Sequence, residues 1–245
     1  MISNDWMLPR EGPYNIYDVE TIRGVVLADD YKMGMMKTRG VDIRTAIDVG
    51  AHIGTFGGVI RFYWPDALII SVEPNKQNLE HLLFNFNRLS ITNFVTYNKA
   101  MNYDESKKNF FIHKINPCVS LFLSDQELAD KTYKNHILSK CFGDLETSFE
   151  RQAGDVESIT MEQIIEEQGL TSIDVLKFDC EGFEIPILEN MTEASRSIVK
   201  NVVGEYHKEG GYAAVESFLR SRFPEMEFTS ELGIHDFGFF YGVRK

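Results

Sequence analysis

Four short segments gather the residues able to do chemistry. DVGAHIGTFGG (48–58) sets Asp48 ahead of Gly50, His52 and Gly54. Gly50 permits a sharp turn and Gly54 a close approach of backbone to a ligand. A helix starting there opens with N–H groups that have no partner inside the helix. Asp48, at the end of an apolar run, lies near where a cofactor's polar groups would sit. Glu73 closes a second apolar run 23 residues after Gly50, where a carboxylate can accept two hydrogen bonds from a ribose diol. LKFDCEG carries Asp179 and Glu181, and VGEYH carries Glu205 and His207. Such groups can hold a cation or take a proton near neutral pH.

The glycine loop and Glu73 together point to a nucleoside-bearing cofactor, against the alternative of a tight turn and a surface glutamate. The loop argues against a dinucleotide. GAHIG has three residues between its glycines, unlike GxGxxG. Asp48 would also repel a pyrophosphate. S-adenosylmethionine has no phosphate and bears a sulfonium cation, so an acidic rim suits it. A nicotinamide-dependent oxidoreductase and a non-catalytic cofactor-binding module are the alternatives.

The elements that must position these groups follow from the pattern. TAIDVG (45–50), ALIISVEP (67–74), FVTYNKAM (94–101), IDVLKFD (173–179) and NVVGEYH (201–207) read as strands, the apolar ones buried on both faces. Helices are expected at about 55–64, from an N-cap at Asn75, from a capping box at Thr160, around 185–190 and near 212–222. Alternating strands and helices imply a parallel sheet covered on both sides. MEFTSEL (226–232) and FGFFYGV (237–243) are separated by four residues, too few for a parallel crossover, so they pair antiparallel. The fold class expected is therefore α/β: a Rossmann-like class I methyltransferase sheet, mostly parallel, with a C-terminal antiparallel hairpin. Residues 1–44 read as an irregular arm followed by short strands with turns at Gly24, Asp29 and Asp30, and Gly40. Residues 45–245 form the main domain. NFFIH and VSLFL suggest a β insertion. A capped helix from 124 is expected to make a lid at about 124–150, with 142–155 as loop.

DVGAHIGTFGG, SVEP (71–74), NKAM (98–101) and LKFDCEGFEIPIL (176–188) together resemble the FkbM-type methyltransferases. The resemblance spans roughly residues 40–210. It implies S-adenosylmethionine as cofactor and O-methylation of a hydroxyl on a small molecule or sugar. Glu73 would hold the ribose hydroxyls. Asp48 and Gly50 would line the methionine and ribose end, with His52 and Gly54 in the same loop. Asn98 to Ala100 would face the adenine edge, Ala100 through its backbone.

Beyond the carboxyl ends of the fourth and fifth strands, Asp179, Glu181, Glu205 and His207 are the candidate catalytic groups. His207 or Asp179 would take the acceptor's proton, or Asp179 would instead hold the methionine ammonium, with Glu181 orienting one of them. A divalent cation on Asp179, Glu205 and His207 is conceivable, but no spacing demands it and no metal is expected.

Composition narrows the partners. A net charge of −12 repels nucleic-acid phosphates. No apolar run reaches the ~20 residues that span a bilayer. Three cysteines without CxxC spacing fit reduced thiols in a cytoplasmic protein. The expected partner is a small-molecule or glycan acceptor, with neither nucleic acid nor membrane, and with homo-oligomerisation left open.

Overall fold

The computed structural model describes residues 7–12, 15–102, 109–114, 116, 120–123, 148–152, 156–181, 183–207, 211–231 and 237–244. The expected helix and lid over 124–147 lie outside the described residues.

The main sheet has seven strands in the order β11-β12-β10-β9-β1-β2-β3. These are β1 (Thr45–Val49), β2 (Leu68–Val72), β3 (Phe94–Tyr97), β9 (Val175–Phe178), β10 (Asn201–His207), β11 (Met226–Glu231) and β12 (Phe237–Arg244). β1, β2, β3, β9 and β10 run parallel. β12 lies between β10 and β11, antiparallel to both. The expected α/β class with its terminal hairpin is thus the observed one. β9 is buried along its whole length, as a central strand covered on both faces must be. One apolar layer joins Ile47, Leu176 and Val202 to Ile187 and Leu219. The other joins Ala46, Val175 and Val203 to Phe56, Ile60, Leu82 and Phe86.

Local signals account for most helices. α3 (Thr55–Tyr63) follows the Gly50–Gly54 loop, and α4 (Lys76–Arg88) is capped by the Asn75 side chain on the N–H groups of Gln77 and Asn78. α5 (Met161–Glu167) opens with the reciprocal Thr160–Gln163 capping box. α6 (Glu184–Asn190), α7 (Glu193–Ser197) and α8 (Gly211–Arg222) follow β9 and β10.

Three expectations are corrected. Residues 15–44 are helical rather than extended: α1 (Asn15–Ile22), a π-helical turn (Arg23–Ala28) and α2 (Met33–Thr38). Burial explains this, since Val25, Tyr31, Met33 and Met36 pack on the outer layer beside α3. The turns at Asp29 and Gly40 exist, with positive φ. Gly24 instead sits inside the π-helical turn, where a Cβ would overlap the Asp30 carboxylate. The third expected strand breaks at Asn98; β4 (Ala100–Met101) leaves the main sheet and pairs with β8 (Ser158–Ile159). Part of the expected 142–155 loop is β7 (Phe149–Arg151), which joins β5 (Asn109–His113) and β6 (Ser120–Leu123) in a small antiparallel sheet.

Candidate active site

The chain runs from β1 outward to β3, then returns to β9 on the other side of β1. A crevice at such a reversal, beyond the carboxyl ends of the strands, is where open α/β sheets bind ligands. A cavity of about 420 Å³ occupies it, within the ~300–1,000 Å³ usual for small-molecule sites. Gly50, His52, Glu73, Ala100, Asp179, Glu181 and Glu205 all line it. Glu73 and Asp179, on different strands and 106 positions apart in the sequence, therefore face one space.

Each of these groups is held by backbone. Glu73 is buried; its Oε2 accepts from the His52 N–H (2.8 Å) and its Oε1 from the Asn75 N–H (2.9 Å) and Asn78 Nδ2 (3.2 Å). Burial pushes its carboxyl up to about 6, a rise those donors only partly offset. Gly50 has φ +77°, and a Cβ there would overlap the carbonyl of Asp179. The turn out of β1 therefore rests directly against the exit from β9. Glu181, also at positive φ, continues that exit along the cavity.

Beneath the cavity lies a cation that the sequence analysis did not select. Register places Asp48 of β1 beside Lys177 of β9. Lys177 Nζ is 3.0 Å from Asp48 Oδ1 and 3.7 Å from Asp179 Oδ2, and it donates to the Gly50 carbonyl at 2.7 Å. Burial works against its charge, but Asp48 and Asp179 outweigh that and raise its pKa above the ordinary lysine value. Burial also raises the pKa of Asp48, with Lys177 pulling the other way. The signal was available in VLKF, where a lysine interrupts a wholly apolar strand. Such a lysine is seldom buried without a carboxylate partner.

The N-terminal segment closes one wall. Glu20, Thr21, Val25, Asp30 and Tyr31 line the cavity. The Tyr31 hydroxyl donates to Asp179 Oδ2 at 2.8 Å. Behind that wall, Arg10 forms a buried ion pair with Asp18 (2.6 Å) and reaches His52 Nε2 at 2.8 Å. Burial, then the Arg10 cation, lowers the His52 pKa to about 3. The ring is thus neutral at physiological pH, accepting from Arg10 through Nε2. No local pattern marks Arg10 and Tyr31 as site residues, because the partners that tie them to the site, His52, Asn78 and Asp179, lie far away in sequence.

Some expected site residues sit elsewhere. Asp48 does not line the cavity; it is fully buried below the floor as the partner of Lys177. The close approach at Gly54 is to Leu82 and Phe86 of α4, which a Cβ would meet at 2.9 and 2.8 Å, so its space serves helix packing. The Asn98 amide donates to the carbonyls of Glu73 and Pro74, tying the end of β3 to the end of β2. His52 is mostly buried. His207 ends β10, with its side chain outside the described ones. Cys180 also lines the cavity; burial and the nearby Glu184 carboxylate hold its thiol far above the usual range. Among the described residues no group of three or more His, Cys, Asp or Glu side chains could hold a metal ion. No helix among them is long and apolar enough to cross a membrane.

The methyltransferase FkbM domain matches residues 48–232, more than half of the chain. The chain belongs to the FkbM methyltransferase family. A methyltransferase of Sordaria araneosa, sdnD, is 27% identical over 195 residues, covering 72% of this chain and 71% of that one. Among solved structures, an S-adenosylmethionine-dependent methyltransferase from Agrobacterium tumefaciens shares the fold with a TM-score of 0.51 at 10% identity. That match covers 91% of this chain and 62% of the other. A caffeoyl-CoA O-methyltransferase from Staphylococcus aureus superposes with a TM-score of 0.49 at 10% identity, covering 92% and 91%.

This family implies S-adenosylmethionine, and the residues present fit it. The buried Glu73 acceptor and Asp179 both line the cavity, and the one cationic side chain among its described lining residues, Lys177, has its Nζ on Asp48 and Gly50. A phosphate group would find no exposed cation among the described lining residues. A nucleoside with a cationic tail finds carboxylates.

Proposed function

We propose that the protein transfers a methyl group from S-adenosylmethionine to a hydroxyl oxygen of a small molecule or sugar. The observation that carries this reading is the convergence of Glu73 and Asp179 on one nucleoside-sized cavity at the reversal point of the sheet. When bound, S-adenosylmethionine supplies an electrophilic methyl carbon on a sulfonium. The chain's own residues do the rest. Glu73, its oxygens oriented by the His52, Asn75 and Asn78 donors, accepts the ribose hydroxyls. Ala100 and Met101 wall the cavity on the side toward β2 and β3, where an adenine edge would lie. The acceptor lies toward β10 and β12, over the cross-strand pair Glu205 and Phe239, which both line the cavity. An alcohol must lose its proton as the new C–O bond forms. Glu205 takes it, or His207 from the same strand end. Orienting the acceptor in line with the donor contributes much of the remaining acceleration. The aromatic walls of Tyr31, Phe56, Phe110, Phe183 and Phe239 restrict water.

Calorimetry with S-adenosylmethionine, S-adenosylhomocysteine and NADH tests the cofactor: the first two bind and NADH does not. Purified protein with S-adenosylmethionine is then added to a cell extract, and metabolites gaining about 14 Da, one CH₂, are sought by mass spectrometry. Products whose added methyl resides on nitrogen or carbon would refute O-methylation and leave the cofactor assignment standing.

A further inference from the structure

We propose that Tyr31 is a positioning residue of the methyl-donor site, holding the Asp179 carboxylate over the Gly50 turn so that Asp179 takes the ammonium of the donor's amino-acid tail. This rests on the reading that the cavity binds S-adenosylmethionine. It adds a residue upstream of the matched domain and commits Asp179 to the donor rather than to the acceptor's proton.

Tyr31 cannot easily move. It is 4% exposed, and its ring meets Phe56 and Phe239 edge-on at 5.7 and 5.6 Å. The loop that carries it is pinned by Asp29, whose carboxylate accepts from the N–H groups of Gly34 and Met35. Lys177 Nζ lies 5.4 Å from the ring centroid. A phenylalanine would satisfy every one of these packing contacts. The hydroxyl is needed for one recorded contact, the 2.8 Å bond to Asp179. Burial, then the charge of Asp179, holds the phenol protonated far above its ordinary range, so it remains a donor at any physiological pH.

Asp179 is placed for the donor by its backbone. Its N–H donates to the Val49 carbonyl, and its own carbonyl rests on Gly50. The carboxylate sits beside the β1 turn, with 28% of the side chain exposed to the cavity. The Tyr31 hydroxyl and the Lys177 ammonium both stabilise its charged form. Held in one orientation and partly open to the cavity, the carboxylate can serve as a fixed counter-ion for an ammonium.

The test uses full-length protein and two probes, S-adenosylhomocysteine and 5′-methylthioadenosine, which share the nucleoside but differ in the amino-acid tail. Dissociation constants and melting temperatures are measured for wild type, Tyr31→Phe, Asp179→Asn and the double variant. Tyr31→Phe should weaken S-adenosylhomocysteine about ten-fold, the scale of one hydrogen bond to a charged group, and leave 5′-methylthioadenosine within about two-fold. Asp179→Asn should show the same selectivity, and the double variant should fall short of the product of the single effects. Equal weakening of both probes would mean that Tyr31 only supports the fold. Unchanged S-adenosylhomocysteine binding in Tyr31→Phe, or additive effects, would also overturn the proposal. Should Tyr31→Phe not fold, equal weakening of the two probes by Asp179→Asn alone would refute the assignment. Wild-type protein that binds neither probe would refute the donor-site reading itself.

Discussion

Replacing Lys177 with methionine isolates the charge that holds the floor of the site together. Methionine keeps much of the aliphatic volume in β9 but removes the ammonium from between Asp48 and Asp179. Asp48 is 0% exposed, so its carboxylate would be left charged and unpaired below the cavity. Removing one partner of a buried ion pair costs about 3–5 kcal/mol, because the remaining charge has neither water nor a counter-ion. The variant should therefore lose about 3–5 kcal/mol in urea unfolding at pH 7. The sign of the pH dependence is fixed. Burial already raises the pKa of Asp48, and without Lys177 it rises further. A carboxyl with a raised folded pKa destabilises the protein as pH climbs through that value. The deficit should accordingly be greatest at neutral and alkaline pH and shrink on acidification. Adding Asp48→Asn removes the stranded charge and should recover more than half of the loss. A single variant within about 1 kcal/mol of wild type, or a double variant no better than the single, would refute the buried-pair account.

Glu73 predicts a pH dependence of binding. With its carboxyl raised to about 6, it is ionised above that pH and able to accept two ribose hydroxyls; below it the added proton removes an acceptor. Affinity for S-adenosylhomocysteine should fall as pH drops from 7 to 5, and Glu73→Gln should weaken binding at pH 7 and flatten the profile. A wild-type profile already flat across that range would contradict this role. Gly50→Ala and Gly40→Ala separate close approach from backbone conformation. Both glycines have φ near +78°, but nothing lies within 4 Å of a Cβ at Gly40. Gly40→Ala should cost only the left-handed penalty, about 1–2 kcal/mol. Gly50→Ala adds the clash with Asp179, a further 1–3 kcal/mol or more, and equal melting temperatures for the two variants would be inconsistent with it.

What could be read beforehand was what depends on local pattern. The strands β1, β2, β9 and β10 are short apolar runs, and the Asn75 and Thr160 caps announce their helices within three residues. The four-residue gap near the C-terminus dictated antiparallel pairing of β11 and β12. Residues 15–44 misled because β-branched and aromatic residues there resemble strand material, whereas their burial against α3 settles them as helix. Propensity is a weak prior against tertiary packing. The turn at Gly50 and the carboxylate of Glu73 were legible because both serve the cavity from the ends of predictable strands. Asp48 was placed in the right strand but at the wrong depth. Depth depends on Lys177 beside it in the sheet, and pairing register between strands 129 positions apart is not written in either segment.

The same reasoning separates the donor end of the cavity from the acceptor end. The residues assigned to the nucleoside end come from the β1 and β2 exits and from β4, inside the matched range of 48–232. Glu20, Thr21, Val25, Asp30 and Tyr31 precede that range, yet they wall the same cavity. They are anchored to it by contacts that span the chain: Arg10 to Asn78, Arg10 to His52, and Tyr31 to Asp179. Phe110 and Ser120 reach it from the small β5–β6–β7 sheet, which stands apart from the seven-stranded sheet. A cavity lined jointly by the seven-stranded sheet and by segments outside it can keep one donor while its acceptor varies, because substitutions in those segments leave Gly50 and Glu73 untouched. Exchanging 7–44 with the corresponding segment of another family member should therefore change which acceptors are methylated, while S-adenosylhomocysteine affinity changes only through Tyr31 and through Arg10, which reaches His52 and Asn78 beside Glu73. Loss of donor binding in a chimera that retains both a tyrosine opposite Asp179 and an arginine on His52 and Asn78 would show that the two halves of the cavity are not separable in this way.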